Sequence, residues 1–461
     1  MVFASFAFLF WFLPGFFAAY TVTPARWRNL TLIAGSFVFY GWWRPHYVLL
    51  MLFSVAVDYT AARAMGDVDS GRRRKAWLVA SIVTNLALLG WFKYANLLVD
   101  TWNSVTPWPV AWERVLLPVG ISFFTFQSMS YTIDVWRGTV RPVRSFVDLL
   151  CFVSMFPQLV AGPVVRYRDV QDQIVARRAD LSMYSDGVMR FAIGLAKKVL
   201  IADSVAPLVD AIWATEQPGL AAAWLGSVAW SVQIYFDFSG YSDMAIGLGL
   251  LLGFRFPENF LSPYRAHSIT ELWRRWHVSL STWLRDYLYV PLGGNRHGEA
   301  RAMRNVMITM LLGGLWHGAS WNFLLWGGMH GALLVLERRL GKVAPYARLP
   351  LAVQVAVTFG LWTLTMMVFR SESAADLAKM WRGVLGFAGA NGAPVPTLRQ
   401  DAPFAHGALA LGLLIAFLAP RSDELVRRFH PLVMLGCFAA GLAAVGHLLG
   451  GTFSPFLYFQ F

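Results

Sequence analysis

The most constraining feature of this 461-residue chain is a series of long apolar runs separated by short basic loops. Hydrophobic residues make up 57% of the chain, and charged residues make up only 14%. A helix that crosses a bilayer needs about 20 mostly apolar residues. A transmembrane β-barrel would instead alternate apolar and polar residues in segments of about ten. Because the runs here are unbroken, the sequence predicts an all-α, multi-pass membrane protein.

The apolar runs predict about eleven or twelve crossings, some of them re-entrant. The candidate spans are residues 3–20, 29–43, 46–64, 76–98, 114–135, 146–165, 187–212, 221–253, 304–338, 350–370, 405–420 and 431–450. The run 304–338 is too long for one upright helix, so it predicts two helices or one long tilted helix. The first run lacks a basic n-region and a cleavage site, which indicates a retained span and not a signal peptide.

The net charge of +13 is distributed in a way typical of membrane topology and not of nucleic-acid binding. Basic residues occur in alternate loops: Arg26 and Arg28, then Arg63 and residues 72–75, then Arg137, Arg141 and Arg144. The positive-inside rule makes these loops cytoplasmic. The sequence therefore predicts an N-terminus outside the cytoplasm, which is the periplasm if the cell is Gram-negative. The two cysteines, Cys151 and Cys437, lie in apolar runs and are too few to indicate a disulfide framework or a metal site.

Two segments are more polar than the rest of the chain. Residues 255–304 are rich in arginine and tryptophan, and we interpret them as a mostly cytoplasmic, partly re-entrant segment. Arg274, Arg275 and Arg285 are its candidates for binding the phosphates of a nucleotide-containing donor. Contact with lipid headgroups is the alternative role. Residues 371–403 predict an extramembrane loop with a short helix.

His317 is the leading catalytic candidate. It lies in the apolar stretch Leu311-Leu-Gly-Gly-Leu-Trp-His317, and an ionisable residue at membrane depth usually marks a functional site. A helix starting about twelve residues earlier would place it about 18 Å along the axis. A buried neutral imidazole is suited to act as a general base in acyl transfer. The alternative is a structural histidine bonded to a neighbouring helix.

Two further histidines are candidates. His277 ends the segment Trp273-Arg-Arg-Trp-His277 and is a polar partner for His317, placed to bind or orient an acyl carbonyl. Its alternative position is the membrane interface. His330 ranks third, because it shares a helix with His317 only if that helix is continuous. Trp316 and Asn322 flank His317 and are candidates to line the same site.

Polar side chains inside other apolar runs are also candidates to line a site. They are Asp237, Ser239, Tyr241 and Asp243 in the run 221–253, and Gln158 in residues 156–163. A carboxylate cannot face lipid unpaired, so Asp237 and Asp243 either line the site or pair with arginines of the following segment. Proline and glycine in residues 118–127 and 156–163 predict broken helices, which often surround a cavity.

The motifs of the central region, taken together, resemble the membrane-bound O-acyltransferase family, and in particular its bacterial alginate O-acetylation branch. The resemblance rests on the order Leu117–Gln127, Phe156–Pro163, Phe236–Asp243, Asn259–Tyr264, Trp273–His277, Arg285–Tyr289, Pro291–Asn295 and Leu315–Ala319. It implies one integral membrane domain over residues 1–461, with its core motifs in residues 115–340. The implied fold is a ring of membrane helices around a central tunnel.

The resemblance also implies an activity. The invariant histidine of the family corresponds to His317, and its second polar position corresponds to His277. Related proteins take an acyl group from a cytoplasmic donor and pass it across the membrane. In the alginate branch the donor is acetyl-CoA, used as a substrate with no bound cofactor or metal. The acetyl group then reaches periplasmic partner acetyltransferases, which modify a polysaccharide such as alginate.

The aromatic C-terminal tail, residues 455–461, is similar to that of a small peptide partner in the related D-alanylation system. The resemblance makes Tyr458 a candidate acyl acceptor that presents the group outward. The alternative is an aromatic anchor at the membrane interface.

Several functions remain open on sequence alone. Within the acyltransferase class they are O-acetylation of peptidoglycan or of another exopolysaccharide, and D-alanyl transfer to teichoic acid. An acyl carrier protein is a second candidate donor. Outside the class they are a proton-coupled transporter or flippase, and a scaffold that only recruits partner enzymes. A transporter usually has two related halves, and no such internal repeat is evident. The oligomeric state is not predicted.

Overall fold

A computed structural model describes residues 1–67, 71–341, 348–397, 404–427, 431–450 and 456–457. These residues form helices and loops, and no β-strand occurs among them; an isolated bridge joins Pro218 and Ala393. The prediction of an all-α fold is confirmed. The chain divides into two compact units, Met1–Phe191 with Met244–Pro257, and Ala192–Asp243 with Glu258–Phe461. The prediction of a single domain stays a prediction.

The first unit contains ten α-helices that begin within residues 1–191. They are α1 (Leu13–Val22), α2 (Arg28–Gly41), α3 (Tyr47–Gly66), α4 (Gly71–Leu89), α5 (Ala95–Val105), α6 (Ile121–Arg137), α7 (Phe146–Ser154), α8 (Phe156–Leu159), α9 (Tyr167–Val175) and α10 (Leu181–Ala196). Short π-helical segments precede α1 (Ala7–Phe12) and join α4 to α5 (Gly90–Tyr94), and a 3₁₀ turn, Ala25–Trp27, precedes α2.

A buried carboxylate joins three helices of the first unit. Asp58 of α3 accepts hydrogen bonds from Ser81 (2.6 Å) and Asn85 (2.8 Å) of α4 and from Ser128 of α6. All four side chains are fully buried. Lipid tails are as apolar as leucine, so the hydrophobic effect does not drive helices together inside a membrane. Polar contacts such as these are therefore one of the main forces that hold membrane helices together.

The two predicted broken helices of the first unit are confirmed, and their bounds are shorter than the apolar runs suggested. The run 114–135 becomes helical only at Ile121, after Gly120, which adopts φ 79°. A side chain at Gly120 would place its Cβ 2.8 Å from the carbonyl oxygen of Leu159. The run 146–165 breaks at Met155 and contains the single turn α8. Apolarity alone therefore overestimated both helices, since α6 begins only after Gly120 and α7 ends before Met155, two residues ahead of Pro157.

The described residues of the second unit form eleven further α-helices. They are α11 (Asp203–Ala214), α12 (Leu220–Leu251), α13 (Ile269–Arg275), α14 (Val278–Leu284), α15 (Glu299–His317), α16 (Trp321–Leu340), α17 (Leu351–Arg370), α18 (Ala374–Val384), α19 (Ala405–Leu418), α20 (Ser422–Arg427) and α21 (Pro431–Leu449). Shorter turns are the π-helical Lys197–Ala202 and Arg285–Tyr289, and the 3₁₀ Pro263–Arg265 and Gly389–Asn391. The end of α12, from Met244, belongs to the first unit.

The run 304–338 forms two helices, which settles the alternative left open by its length. α15 ends at His317 and α16 begins at Trp321. Their backbones meet at two glycines: a Cβ on Gly314 would lie 2.2 Å from the carbonyl oxygen of Phe323, and a Cβ on Gly327 would lie 2.3 Å from that of Met310. Small residues are what permit such close approach between membrane helices.

This crossing yields a stability prediction. Gly327→Ala is expected to destabilise the protein by about 1–3 kcal/mol, because the added methyl meets backbone atoms that cannot rotate away. Gly328→Ala is the matched control, since its Cβ meets only a flexible Leu311 methyl group at 3.4 Å. Thermal unfolding in detergent measures both. Equal melting temperatures for the two variants would contradict the close packing of α15 and α16.

Among the described residues, four helical stretches are long and apolar enough to cross a membrane: Tyr47–Gly66, Gly71–Val105, Leu351–Arg370 and Pro431–Leu449. Two shorter apolar stretches are Ala7–Val22 and Ala405–Leu418. The higher number of crossings expected from the apolar runs stays a prediction. The predicted short helix in residues 371–403 is α18.

Candidate functional site

His317 is the last residue of α15, at the tip of the α15–α16 hairpin. Because α15 begins at Glu299 and not near residue 305, His317 lies about 27 Å along the helix, further than the sequence estimate of about 18 Å. The next residue, Gly318, is extended, and a Cβ there would lie 2.0 Å from the Phe323 ring. Because Gly318 has no side chain, the Phe323 ring can pack against the turn that follows His317.

Aromatic side chains surround His317. Its ring makes edge-to-face contacts with Trp326 at 5.1 Å, Trp316 at 5.2 Å and Phe369 at 5.5 Å between centroids. Only 5% of the histidine is exposed. Such surroundings exclude water from the imidazole.

The structure brings His277 next to His317, with 6.3 Å between the ring centroids. His277 directly precedes α14 and adopts the left-handed conformation, φ 45° and ψ 52°. A non-glycine residue rarely adopts this conformation, and such strain is often found at functional sites. His277 is fully buried and packs edge-to-face on Phe238 of α12 at 4.7 Å. It is therefore a core residue of the second unit, close to the first catalytic candidate.

Asn259 orients His277, and sequence reasoning did not identify it as a site residue. Its side-chain Oδ1 lies 3.0 Å from Nδ1 of His277, and its Nδ2 donates to Ser242 of α12 at 3.0 Å. The backbone N–H of Val278 donates to the Asn259 carbonyl at 3.0 Å. Asn259 stands in the family motif Asn259-Phe-x-x-Pro-Tyr264. That motif was the signal that could have identified Asn259. Its contact with His277 could not be predicted, because it forms only when the loop that contains Asn259 packs against the turn before α14.

The other ring nitrogen of His277 is Nε2. Within the described part of the chain, Nε2 of His277 is buried and has no hydrogen-bond partner. An unpartnered buried polar atom costs free energy, about 1–3 kcal/mol. Such an atom in a native structure calls for an explanation, and a catalytic role is one of the recognised explanations.

His330 has a different environment. Its Nδ1 accepts a hydrogen bond from Nε1 of Trp273 at 3.3 Å, and its Nε2 lies 3.0 Å from the Thr365 hydroxyl. The ring is fully buried, and Trp326 packs against it at 4.8 Å as well as against His317. Both nitrogens are thus occupied, which fits a histidine that supports the wall behind His317.

The carboxylates of α12 are paired, and the described partners are lysines, not the arginines of the following segment that the sequence suggested. Asp237 contacts Nζ of Lys198 at 2.6 Å, and Lys198 also contacts Asp203 at 2.6 Å. Asp243 contacts Nζ of Lys197 at 2.7 Å. The sequence analysis expected pairing as one alternative but did not identify these lysines, which lie earlier in the chain, in the π-helical turn before α11.

The C-terminal tail approaches this part of α12. The backbone N–H of Leu457 donates to Oδ2 of Asp237 at 3.0 Å, and both Phe456 and Leu457 are buried. The Phe456 ring packs on Tyr241 at 4.6 Å and on Phe238 at 6.1 Å. Phe238 also contacts His277, so one side chain separates the tail from the histidine pair. Tyr458 itself lies outside the described residues.

The other lining candidates lie in several places. Ser239 is buried on α12, and its hydroxyl has no hydrogen-bond partner among the described residues. Asn322, in the first turn of α16, donates to the Ser371 carbonyl at 2.6 Å. Gln158 belongs to the first unit, where its amide donates to the Phe152 carbonyl at 2.5 Å.

A cavity of about 310 Å³ lies in the second unit, away from the histidine pair. Its described lining includes Lys197, Asp243 and Ser422, but neither His277 nor His317. Ser422 donates to Asp243 at 2.7 Å and accepts from Lys197 at 2.8 Å. The polar end of the cavity is therefore a closed network, and the remaining walls are mostly apolar.

The three arginine candidates differ in exposure and pairing. Arg274 is exposed, whereas Arg275 pairs with Glu271, one turn earlier on α13. Arg285 is mostly exposed and pairs with the neighbouring Asp286 at 2.8 Å. Within the described ranges, no cluster of three or more His, Cys, Asp or Glu side chains is arranged to hold a metal ion.

Buried imidazoles on a helical membrane scaffold fit an acyl-transfer enzyme, and comparison with known proteins supports this class. A model of the MBOAT, membrane-bound O-acyltransferase, family matches residues 119–371, more than half of the chain. The chain belongs to this family. It is thus a multi-pass membrane protein and an O-acyltransferase.

Individual relatives refine the comparison. The chain is 48% identical to the "Probable alginate O-acetylase AlgI" of Azotobacter vinelandii, over 84% of this chain and 78% of the relative. It is 46% identical to the protein of the same name from Pseudomonas aeruginosa, over 84% and 75%. A peptidoglycan O-acetyltransferase of Helicobacter pylori is 34% identical, over 83% and 79%. The predicted resemblance to the alginate O-acetylation branch is confirmed.

Proposed function

We propose that this protein takes an acetyl group from cytoplasmic acetyl-CoA and passes it across the bacterial inner membrane. Periplasmic partner acetyltransferases then attach it to a cell-surface polysaccharide such as alginate. The observation that carries the proposal is the buried pair His317 and His277, 6.3 Å apart, in a member of the O-acyltransferase family. The higher identity to alginate O-acetylases than to a peptidoglycan O-acetyltransferase favours alginate or a similar polymer.

His317 is the base in the proposed chemistry. It removes the proton of an acceptor hydroxyl as the oxygen attacks the carbonyl carbon of the acetyl thioester. The new C–O bond forms, the C–S bond breaks, and the proton passes from His317 to the departing thiolate. The products are an acetyl ester and the free thiol of CoA. The aromatic side chains around His317 exclude water, which would otherwise hydrolyse the thioester.

The proposed donor would bind at the arginine-rich segment on the cytoplasmic side. The guanidinium group of Arg274 is exposed and suited to a phosphate. Arg275 and Arg285 are held by carboxylates, so phosphate binding there would require an exchange of partners. The same proposal puts the N-terminus in the periplasm, and the distribution of basic residues among the loops supports this orientation.

Tyr458 is the proposed carrier of the acetyl group. The two residues before it are buried against α12, and Leu457 is bound through its backbone to Asp237. The proposal requires the phenol of Tyr458 to reach the histidine pair. The phenol oxygen would then be the first acceptor, and its ester would be presented to the periplasmic partner.

Protein-bound label tests the carrier role. Purified protein in nanodiscs is incubated with radiolabelled acetyl-CoA, and Tyr458→Phe is expected to lose the bound label, since the acceptor oxygen is removed. Tyr184→Phe, at an exposed tyrosine of α10, is the control and should keep it. Full labelling of Tyr458→Phe would exclude the tail as carrier. If thioester cleavage requires His317 but not Tyr458, the acyltransferase activity is supported and the acetyl-tyrosine intermediate is excluded.

A further inference from the structure

The orientation of the Asn259 amide is determined by its neighbours. Its Oδ1 lies 3.3 Å from the backbone nitrogen of Ser279 and 2.8 Å from the Ser279 hydroxyl. A peptide N–H can only donate, so the atom that it contacts must be the carbonyl oxygen of the amide. The opposite atom, Nδ2, donates to Ser242.

This orientation determines where His277 carries its proton. Oδ1 is an acceptor, so Nδ1 of His277, 3.0 Å away, must be the donor. A neutral imidazole has one N–H, and the second nitrogen then offers only a lone pair. That nitrogen is Nε2, the buried atom that has no hydrogen-bond partner within the described chain.

We infer that Asn259 is a positioning residue that keeps the proton of His277 on Nδ1, so that Nε2 accepts a hydrogen bond from an O–H or N–H group of the bound substrate. This inference rests on the proposed function, because it concerns the same site. It changes the role predicted for His277. A neutral His277 whose N–H is held by Asn259 has no donor to offer an acyl carbonyl.

Groups from each neighbouring element are consistent with an acceptor at Nε2. Phe238 of α12 and Trp316 of α15 pack on the His277 ring at 4.7 and 5.9 Å, and neither is ionisable. The titratable group described against the ring is His317. Among the described residues, the contacts of the ring are with Asn259, Phe238, Trp316 and His317, and none of these is a carboxylate.

Two variants of Asn259 separate the acceptor role from a donor role. Asn259→Leu removes the anchor and is expected to lower acetyl transfer about 10- to 100-fold, as is typical when the residue orienting a functional histidine is lost. Asn259→Asp keeps an acceptor opposite Nδ1 but stabilises the protonated ring. We expect it to retain activity at alkaline pH and to lose activity on acidification at a higher pH than the wild type. Asn96→Asp, at a half-buried amide that caps a loop of the first unit, is the matched control.

The opposite outcome is well defined. If protonated His277 donates to the carbonyl, Asn259→Asp will extend activity to higher pH, and the inference is overturned. The inference is also overturned if both Asn259 variants show the same acetyl-transfer rate and pH profile as Asn96→Asp. Should the leucine variant fail to fold, the pH profile of the aspartate variant still decides.

Kinetics of His277→Ala distinguish the two classes of donor group. A loss in kcat with an unchanged KM for acetyl-CoA identifies the group at Nε2 as a donor on the acceptor other than the attacking hydroxyl, whose only proton goes to His317. A raised KM for acetyl-CoA identifies a group of the thioester donor itself. No change in either parameter would contradict any contact between the substrate and Nε2.

A spectroscopic readout keeps this inference separate from the proposed function. In protein labelled with ¹⁵N-histidine, the His277 signals are identified by their loss in His277→Gln. Nitrogen chemical shifts typical of an Nδ1–H tautomer that disappears in Asn259→Leu support the inference even if no acetyl transfer is found. An Nε2–H tautomer in the wild type would overturn it even if acetyl transfer is strong.

Discussion

His317→Ala is expected to lower acetyl transfer from acetyl-CoA by about 10²- to 10⁴-fold, the contribution typical of a general base. The histidine ends α15, is almost fully buried, and faces His277 within an aromatic enclosure. Removing its imidazole leaves no group at that position to take the proton of the attacking hydroxyl. Initial rates of CoA release, with wild-type and variant protein at equal concentration, measure the loss.

The control for this prediction is His406→Ala, at an exposed histidine of α19. It should keep wild-type activity and the same melting temperature. A scaffold that only recruits partner enzymes predicts a different result, since acetylation would then survive His317→Ala. A melting temperature lowered in His317→Ala but not in the control would point to a structural histidine.

Lys198→Met is expected to lower the free energy of unfolding by about 3–5 kcal/mol, as is typical when one partner of a buried ion pair is removed. Lys198 is 3% exposed at its side chain and lies 2.6 Å from both Asp237 and Asp203. Its loss leaves two buried carboxylates without their cation. Because Asp237 also accepts a hydrogen bond from the backbone of Leu457, we expect the contact of Leu457 with α12 to weaken in this variant.

Denaturant unfolding in detergent tests this prediction against Arg114→Met, which breaks an exposed pair with Asp100. Exposed pairs contribute about 0–1 kcal/mol, so the control should change little. Adding Asp203→Asn to Lys198→Met should recover part of the loss, because one stranded charge is removed. No recovery would attribute the loss to packing and not to charge.

The apolar runs were sufficient to predict an all-α membrane protein, because a bilayer requires long uninterrupted apolar helices. They overestimated the lengths of α6 and α7. α6 begins only after Gly120, and α7 ends before Met155, although the apolar runs continue past both points. They also left the run 304–338 undecided between one helix and two. The close backbone contact of Gly314 and Gly327 is a tertiary feature that hydropathy does not record.

The candidate site shows the same division. His317 and His277 could be identified as unusual from the sequence, because ionisable residues are rare in apolar surroundings and both stand in family motifs. Three contacts became known only from the folded chain: the two rings lie 6.3 Å apart, Asp237 pairs with Lys198, and Asn259 contacts His277. The physical reason is that hydropathy acts over a local stretch of chain, whereas each of these contacts joins residues that are distant in sequence or separated by a turn. Such contacts depend on how the helices and loops pack.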